Sequence, residues 1–379
     1  MKRILFSFAS LLIVSLLFIP GVFAQDSTDK QSERYLVMFD GPAEAGILNA
    51  FGVKESDILH EFDLLPVMHL DLSTEQAKGL KNHPQIKFVE EDARAEAFSQ
   101  TTPWGITRVQ APDAHQMGYS GNGVKVAILD TGIDASHPDL QANVQGGYSV
   151  FSDSANNNPF YDGDGHGTHV AGTVAAANNG GGVLGVSHQA DLYAVKVLDN
   201  NGGGSYSGIA QGIEWSINND MDIINMSLGG SAHSSILEAY SNLAYNEGIL
   251  VVAAAGNSGN AWGIGDTVAY PAKYDSVIAV AATDQNNNRA SFSSHGPAVE
   301  LSAPGVNVLS TVPGNGHQSY NGTSMASPHV AGVAALTWQA KPYLSNSQLR
   351  QTLQNTALNL GNSNFYGHGL VRSVNAIQN

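Results

Sequence analysis

Residues 321–332 read NGTSMASPHVAG and combine a glycine turn with the start of a small-residue, apolar segment. Gly322 allows a sharp turn, and the spacing of the residues after it predicts a helix over 324–339. Ser324 would then lie at a helix start, where unpaired N–H groups and the positive end of the helix dipole favour negative charge. Ser324 has two possible roles there, as a cap of the helix or as a nucleophile. Partner residues elsewhere in the chain must distinguish them.

The first 24 of the 379 residues have the pattern of a secretory signal peptide. A basic start, Lys2-Arg3, precedes an apolar run over 4–19. Pro20 ends the run, and the small-residue cleavage pattern Val22-Phe23-Ala24 follows. The run is shorter than the roughly 20 residues that a membrane-spanning helix needs. We therefore expect a secreted protein without stable membrane association.

Charge and cysteine content narrow the possible partners. The formal net charge of −16 argues against nucleic acid and anionic lipid as ligands. The chain has no cysteine, so no disulfide stabilises it. A large core makes disulfides unnecessary, and a bound metal ion would add stability. We expect a monomer.

Composition changes near residue 98 and predicts two units of unequal size. Residues 25–98 contain 15 acidic and seven basic residues, with a strand pattern over 35–39 and a helix pattern over 74–82. They predict a small α+β unit. Residues 99–379 contain 18 acidic and eight basic residues and most of the glycines. The segment between the units, 93–103, is interpreted as a linker or as a processing site.

The larger unit alternates apolar strand patterns with helix patterns. This order predicts a mostly parallel sheet that helices cover on both faces. Ligands of such sheets bind in a crevice beyond the carboxyl ends of the strands. The predicted strands are 124–129, 191–197, 223–226, 249–254 and 277–281, and the predicted helices are 166–177, 206–219, 234–247 and 324–339.

Asp130 and His166 are candidate catalytic residues. Asp130 ends a buried strand pattern, where a carboxylate costs free energy unless it is hydrogen-bonded. It is interpreted either as a turn residue or as an acceptor that orients an imidazole. His166 begins a predicted helix, and zinc ligation together with His169 is its alternative role. The chain has neither an HExxH motif nor cysteine ligands, so zinc is disfavoured and His169 is interpreted as a buried structural histidine.

Asn257 follows another strand pattern in the segment Ala255-Gly256-Asn257. Its amide could direct N–H donors into the crevice, or the residue could only form a left-handed turn. Together with the other candidates it meets the needs of acyl transfer. A serine needs a histidine to take its proton, and the histidine needs a carboxylate to fix its tautomer. The oxyanion needs donors, here the amide of Asn257 and the backbone N–H of Ser324.

These segments, and their order along the chain, are similar to those of the subtilisin family. The order Asp130, His166, Ser324 is that of subtilisin and differs from chymotrypsin and the α/β-hydrolases. The resemblance extends from about residue 99 to 379 and is to the secreted bacillus-type subtilisins. The matching segments are 130–133 (DTGI), 166–172 (HGTHVAG), 255–257 (AGN) and 322–329 (GTSMASPH).

The resemblance implies a three-layer α/β/α domain with a mostly parallel central sheet and a serine endopeptidase activity. It assigns orientation of the base to Asp130, general base and acid catalysis to His166, nucleophilic attack to Ser324 and oxyanion binding to Asn257. We expect broad specificity with a preference for aromatic or large apolar residues before the cut. A peptide ligase would use the same triad, whereas a silent peptide-binding module would lack one of its members.

The resemblance also implies two backbone edges that pair with an extended peptide substrate. Glycine at such an edge allows close approach of the substrate main chain. One edge consists of Ser227, Leu228 and Gly229, and the facing edge consists of Gly202, Gly203 and Gly204.

Residues 25–98 resemble the propeptide of the family, a ferredoxin-like α+β unit that assists folding and inhibits the enzyme until it is removed. Phe98 provides the aromatic residue expected before the cut, and Ala95 the small residue three places earlier. We therefore expect a cut between Phe98 and Ser99. The chain would then consist of a signal peptide (1–24), a propeptide (25–98) and a catalytic domain (99–379).

The resemblance finally implies a structural calcium ion, which oxygen ligands would hold. Its ligands would be Gln100, Asp139, Asn179 and the carbonyl groups of Ala177, Gly181 and Val183. A second, weaker cation site would use the carbonyl groups of Ala272, Tyr274 and Val277 with Glu300 nearby, but Ala298 lacks a carboxylate that some relatives have.

Overall fold

The computed structural model describes residues 32–93 and 99–379, which form two compact units. The expected signal peptide and the residue before the expected cut, Phe98, lie outside the described residues. Within the two described ranges, every helix is too short or too polar to cross a bilayer.

The smaller unit is a four-stranded antiparallel sheet with two helices, in the strand order β2-β3-β1-β4 of a ferredoxin-like unit. Alternate residues of the central strands are buried, so one face of the sheet packs against Leu48 and Leu80 of the helices. The elements are β1 (Ser32–Phe39), α1 (Ala45–Ala50), a 3₁₀ turn (Glu55–Asp57), β2 (Ile58–Glu61), β3 (Val67–Ser73), α2 (Thr74–Lys81) and β4 (Ile86–Glu91).

The larger unit has a seven-stranded sheet in which every pair of neighbouring strands is parallel, in the order β11-β10-β9-β8-β5-β7-β6. Its strands are β5 (Lys125–Asp130), β6 (Val144–Ser149), β7 (Asp191–Lys196), β8 (Ile223–Met226), β9 (Leu250–Ala254), β10 (Ile278–Thr283) and β11 (Val299–Pro304), and a hairpin adds β12 (Val308–Val312) and β13 (Gly316–Tyr320). Its helices are α3 (Trp104–Arg108), α4 (Ala111–Gln116), α5 (His166–Ala175), α6 (Tyr206–Asn218), α7 (Ser235–Asn246), α8 (Thr323–Ala340), α9 (Asn346–Thr356), α10 (Ser363–Tyr366) and α11 (Ser373–Gln378).

Successive residues of the central strand β5 point into two different cores. Val126 and Ile128 belong to the core that contains residues of α5 and α8, whereas Ala127 and Leu129 belong to the core that contains residues of α6 and α7. Both faces of the sheet are therefore covered, which confirms the predicted three-layer α/β/α architecture. The predicted helix 166–177 ends earlier, at Ala175, because Ala177 leaves the helix and donates its N–H to the carbonyl of Asp139 at 2.8 Å.

The strand order places a crevice at the carboxyl ends of β5 and β8. The chain places β6 and β7 on one side of β5 in the sheet, and then β8 to β11 on the other side of β5. Ligands of open parallel sheets bind where the strand order reverses in this way. Asp130 ends β5, Ser227 follows β8, and Asn257 follows β9, while α8 packs against β8 to β11. The sheet thus gathers the candidate residues at one edge.

Candidate active site

Asp130 and His166 are hydrogen-bonded. His166 is the first residue of α5, and its Nδ1 lies 2.7 Å from Oδ1 of the fully buried Asp130. Because the carboxylate accepts the proton on Nδ1, the lone pair of the neutral ring is on Nε2. Gly167 permits this contact, since a Cβ there would lie 2.1 Å from the carbonyl oxygen of Gly132. The helix can therefore begin directly against the end of the strand.

A buried carboxylate, Asp162, joins that strand end to the helix start. Its Oδ1 accepts from the Thr131 hydroxyl and the Gly165 N–H, both at 2.8 Å. Its Oδ2 accepts from the Thr168 N–H at 2.8 Å and from the Thr168 hydroxyl at 2.6 Å. Thr131 Oγ1 in turn accepts the Gly167 N–H at 2.9 Å. Asp162 thus fixes the residues that follow Asp130 and those that adjoin His166.

Lys196 supports the same region from the neighbouring strand. It is fully buried and lies beside Asp130 in the β5–β7 pairing. Its Nζ donates to the Thr131 carbonyl and, at 2.9 Å, to Oδ1 of Asn200. Burial lowers the pKa of Lys196, and the nearby carboxylates, Asp162 foremost, oppose that effect. Neither Lys196 nor Asp162 was among the functional residues predicted from the sequence. An acidic residue just ahead of a predicted helix start was the available signal for Asp162.

Carboxylates dominate the electrostatic environment of His166. Burial lowers the pKa of His166, but the charge and hydrogen bond of Asp130 outweigh it, and with the charges of Asp164 and Asp162 they raise the pKa to about 9. The imidazolium form is therefore stabilised, as is required of a base that must hold a proton during a reaction. In the resting protein the neutral base becomes abundant only at alkaline pH.

His169 faces away from this pair, so the two histidines do not form the alternative zinc site. Its ring stacks on Tyr320 with the centroids 4.4 Å apart, and its Nε2 lies 2.9 Å from the Val308 carbonyl and 3.1 Å from that of Gln318. Burial lowers the pKa of His169 to about 4, which keeps the ring neutral. Its contacts are those of a histidine that holds α5 to the hairpin.

Ser324 is the second residue of α8 and does not cap it. The N-cap is Gly322, which has no side chain to act as one. The Ser324 hydroxyl instead donates to the Ser227 carbonyl at 3.0 Å, and the Ser227 hydroxyl donates to the Ser324 carbonyl at 2.8 Å. These reciprocal bonds join the end of β8 to the start of α8. Within the described residues, the structure links Ser324 to Ser227 rather than to His166.

The amide oxygen of Asn257 accepts hydrogen bonds from the start of α8. Oδ1 accepts the Thr323 N–H at 2.9 Å and the Thr323 hydroxyl at 3.1 Å. Because a backbone N–H can only donate, the amide atom that contacts Thr323 must be the oxygen, and the NH₂ group of Asn257 points away from Thr323. A Cβ at Gly322 would lie 3.5 Å from that Nδ2. Asn257 and Ser324 line the same cavity, of about 640 Å³.

Two adjoining cavities contain the candidate side chains. The first, with Asn257 and Ser324, shares Leu228 and Gly229 with a second cavity of about 400 Å³ that His166 lines. Of the six residues predicted to contact substrate, five line the second cavity, namely Gly202, Gly204, Ser227, Leu228 and Gly229. The sixth, Gly203, accepts the Asp199 N–H at 2.7 Å with its carbonyl group and supports the turn behind the edge.

The predicted calcium ligands converge on one loop. The Gln100 amide lies 2.6 Å from the Ala177 carbonyl and 3.0 Å from that of Val183, and a half-turn of the amide brings its oxygen to the same place. Asn179 contacts Oδ1 of the buried Asp139 at 3.1 Å, and the Gly181 N–H donates to Asn179 Oδ1 at 3.0 Å. This oxygen-rich donor set fits a calcium ion.

The region predicted as a second cation site also contains an arginine, Arg350. Glu300 accepts from Arg350 Nε at 2.7 Å, and Arg350 also donates to the Val277 carbonyl at 3.4 Å. Gln354 donates to Glu300 at 2.8 Å. The guanidinium group therefore already neutralises the carboxylate and bonds to one of the carbonyl groups considered.

The parallel α/β fold, with a buried aspartate bonded to a histidine and a serine at a helix start in the adjoining cavity, is typical of a serine hydrolase. The chain belongs to the subtilase family, since the model described as "Peptidase_S8: Subtilase family" matches residues 121–369. It is a subtilisin-like serine endopeptidase. The resemblance that its four segments predicted is confirmed.

Characterised relatives match nearly the whole chain. A thermostable alkaline protease of Halalkalibacterium halodurans is 51% identical over 368 residues, which cover 96% of this chain and 97% of that protein. M-protease of Shouchella clausii is 48% identical over 375 residues, covering 96% and 95%. Subtilisin E of Bacillus subtilis is 48% identical over 358 residues, covering 93% and 92%.

Proposed function

We propose that this protein is made as a secreted precursor and that Asp130, His166 and Ser324 hydrolyse peptide bonds in proteins, with Asn257 as an oxyanion donor. The hydrogen bond of 2.7 Å between Asp130 and His166 carries this proposal, since His166 lines a cavity that adjoins the one lined by Ser324. The alkaline proteases among the relatives support protein substrates.

This geometry supports the following reaction. An extended peptide pairs with the edges at Gly202–Gly204 and Ser227–Gly229, and the Ser324 hydroxyl turns from the Ser227 carbonyl towards Nε2 of His166. His166 takes the hydroxyl proton as Oγ forms a bond to the scissile carbonyl carbon. Asn257 Nδ2 and the N–H of Ser324 donate to the oxyanion.

Collapse of the tetrahedral intermediate breaks the carbon–nitrogen bond. His166 gives its proton to the leaving amine, and the acyl group remains on Ser324. A water molecule then loses a proton to His166 and attacks the ester carbon. His166 returns that proton to Ser324 Oγ as the ester bond breaks, which releases the acid and restores the serine hydroxyl. Asp130 keeps the proton on Nδ1 throughout, so Nε2 is always the nitrogen that exchanges protons with the reacting groups.

We assign the cavity of about 640 Å³ to the residue before the cut. Leu228, Val268, Ala269 and Tyr270 provide apolar wall, and the 2.7 Å ion pair of Lys273 with Asp266 adds two mutually neutralised charges. An aromatic or large apolar side chain would bury its surface there without meeting an unpaired charge. Rates of cleavage for peptides that differ only at this position test the assignment.

Residues 25–98 are proposed to be a propeptide that assists folding, inhibits the enzyme and is removed after Phe98. The described part of this segment exposes an unusual amount of apolar side chain, with Leu64 96% and Leu65 58% exposed, as well as Phe62 and Phe88. Such a surface is typical of one that binds another protein surface. The position of the cut, after Phe98, and the presence of a secretory leader are inferred from the sequence pattern.

Labelling with a serine-directed reagent tests the catalytic proposal. Peptide mapping should place the label on Ser324, and casein hydrolysis should stop in proportion to labelling. A Ser324→Ala precursor should neither hydrolyse casein nor release a chain that begins at Ser99. Casein hydrolysis by that variant, or a label on another serine, would contradict the assignment. Release of Ser99 by the variant would contradict self-processing alone.

Calcium is proposed as a structural ligand held by Gln100, Asp139, Asn179 and the carbonyl groups of Ala177, Gly181 and Val183. When bound, the ion would neutralise the carboxylate of Asp139 and tie the N-terminal segment of the catalytic unit to its glycine-rich loop. Because a ligand that binds only the folded state raises stability by mass action, a chelator should lower the thermal midpoint.

A further inference from the structure

A cavity that shares no residue with the catalytic cavities brings two arginines together. It has a volume of about 510 Å³, and residues of α3, of the turn after β10 and of the start of α11 line it. Arg108 and Arg372 are two of only eight basic residues in 99–379, a range with 18 acidic residues. Among the described residues that line the cavity, none is acidic. The lining consists of Trp104, Thr107, Arg108, Gln285, Asn286 and Arg372.

The first arginine is held in place with most of its donors unused. Arg108 is the last residue of α3, and its Nη2 donates to the Gln285 carbonyl. A guanidinium group has five N–H groups, and this is the one bond that Arg108 forms within the described residues. The wall beside it is also fixed, since Trp104 Nε1 donates to the carbonyl groups of Val306 and Asn307, both at 3.1 Å. The remaining N–H groups of Arg108 are therefore available to a ligand.

The second arginine has a buried nitrogen, Nε of Arg372, that lacks a hydrogen-bond partner within the described ranges. Its backbone is fixed, because the next residue, Ser373, donates its N–H at 2.9 Å and its hydroxyl at 2.8 Å to the Val109 carbonyl just after α3. Burial lowers the pKa of Arg372 and the charge of Arg108 lowers it further, whereas the charge of Asp113 raises it. Asp113 is exposed and lies outside the lining, so positive charge prevails in the cavity.

We propose that this cavity binds one small oxyanion with two negative charges, of the sulfate and hydrogen phosphate class. Guanidinium groups donate paired N–H groups whose spacing matches two oxygens of such an anion. A dianion would also match the two positive charges and offset the repulsion between Arg108 and Arg372. The Thr107 hydroxyl and the Asn286 amide, which line the same cavity, supply neutral donors.

A small free anion suits this cavity better than a large anionic surface. The net charge of −16 repels a membrane or a nucleic acid at long range, whereas a single small anion can enter a locally positive cavity. Once bound, the anion would connect α3 with the turn after β10 and with the start of α11. Since it would bind the folded state, it should raise the thermal midpoint.

Equilibrium dialysis with radiolabelled sulfate tests the site. The mature enzyme is inactivated with a serine reagent and kept in calcium, and sodium chloride holds the ionic strength constant as sulfate is varied. We expect saturable binding of one sulfate per chain. Selenate, a dianion of the same shape, should displace the label. Acetate should displace it less well, because it carries one charge and cannot neutralise both guanidinium groups.

Matched variants locate the bound anion. Arg108→Gln and Arg372→Gln should each weaken sulfate binding by roughly tenfold or more, the usual effect of losing a charge-assisted hydrogen bond. The control is Lys341→Gln, which removes an equal charge from a residue outside the lining and should leave sulfate binding unchanged. Circular dichroism verifies that each variant is folded, and the titration of the unmodified enzyme needs no variant.

The thermal midpoint gives a second measurement. Sulfate stabilises folded proteins in general because it is excluded from their surface, so the informative quantity is the difference between variants. Sulfate should raise the midpoints of the unmodified enzyme and of Lys341→Gln by the same amount, and that of Arg372→Gln by less.

Three results would overturn the proposal. The first is an unmodified enzyme that shows no saturable binding at millimolar sulfate. The second is a pair of folded variants, Arg108→Gln and Arg372→Gln, that bind sulfate as tightly as Lys341→Gln does. The third is a loss of binding in Lys341→Gln as large as that in Arg372→Gln, which would show a general attraction to positive charge. All three measurements use the inactivated enzyme, so the proposed peptidase mechanism is tested separately.

Discussion

Replacing Asp162 with asparagine tests whether the buried network around His166 sets its position and its basicity. The carboxylate accepts four hydrogen bonds, two of them from the backbone N–H groups of Gly165 and Thr168. An asparagine has one oxygen, so one of those N–H groups must face an NH₂ group instead. A buried donor without an acceptor costs about 1–3 kcal/mol. Loss of the charge on the remaining bonds brings the expected destabilisation to about 2–4 kcal/mol.

The same substitution should move the pH dependence of the reaction. Only neutral His166 can accept the serine proton, so kcat/KM rises as the imidazolium loses its proton. The charge of Asp162 helps to raise the pKa of His166 to about 9, and removing that charge lowers this pKa. The rising limb should therefore shift to lower pH in Asp162→Asn. The plateau at high pH should fall, because the loosened helix start aligns His166 less well with Asp130.

The assay is kcat/KM for a chromogenic peptide across the alkaline range, combined with urea unfolding of the serine-inactivated enzyme in calcium. The control is Asp153→Asn, which removes an equal charge from an exposed residue of the same loop that bonds only locally, to Ala155 and Asn156. This control variant should have the unfolding free energy and the high-pH plateau of kcat/KM of the unmodified enzyme. An Asp162→Asn enzyme whose limb, plateau and unfolding free energy all match those of Asp153→Asn would refute the reasoning.

Four further predictions concern other parts of the molecule. In the unmodified enzyme kcat/KM should rise between pH 6.5 and about 9 as His166 loses its proton. The stability contributed by protonated His166 is complete below pH 6.5 and is lost over the same pH range, so the free energy of unfolding should fall as kcat/KM rises. Asp139→Asn should lower the thermal midpoint in calcium to that of the chelated enzyme; an unchanged midpoint on chelation would contradict the calcium site. Peroxide should inactivate the enzyme as the buried Met325 becomes a polar sulfoxide, and a Met325→Leu variant should resist; full activity with Met325 oxidised, checked by mass spectrometry, would contradict this. Gly167→Ala should lose activity at every pH, because its Cβ would lie 2.1 Å from the Gly132 carbonyl and displace the helix from Asp130. A folded Gly167→Ala enzyme that hydrolyses a chromogenic peptide as fast as the unmodified enzyme would contradict this.

Much of the larger unit was predictable because its strands and helices are local patterns. All five predicted strands and four predicted helices are present, with ends that differ by at most two residues. Asp130 itself belongs to β5, since it continues the pairing with Lys196 of β7. The order of Asp130, His166, Asn257 and Ser324 identified the family. Their catalytic roles stay predictions until the variants are measured.

The contacts within the site were not predictable in the same way. The sequence pattern predicts that Asn257 directs its amide N–H groups into the crevice, but it contains no sign that Oδ1 accepts from Thr323, 66 positions later. It left helix capping open for Ser324, whereas the hydroxyl donates to the carbonyl of Ser227, 97 positions earlier. It attached no role to Asp162 or Lys196, and none to His317, which lies 178 positions from Asp139.

The sequence by itself determined the alternation of strands and helices, the glycine-flanked segments and the order of the candidate residues. These properties depend on side chains within one turn or strand of each other, so pattern and propensity suffice. The tertiary structure decided which carboxylate holds His166, which atom of Asn257 Thr323 binds and which distant histidine reaches Asp139. Those contacts depend on the strand order, because only the pairing of β5 with β7 and β8 brings the ends of separate segments together.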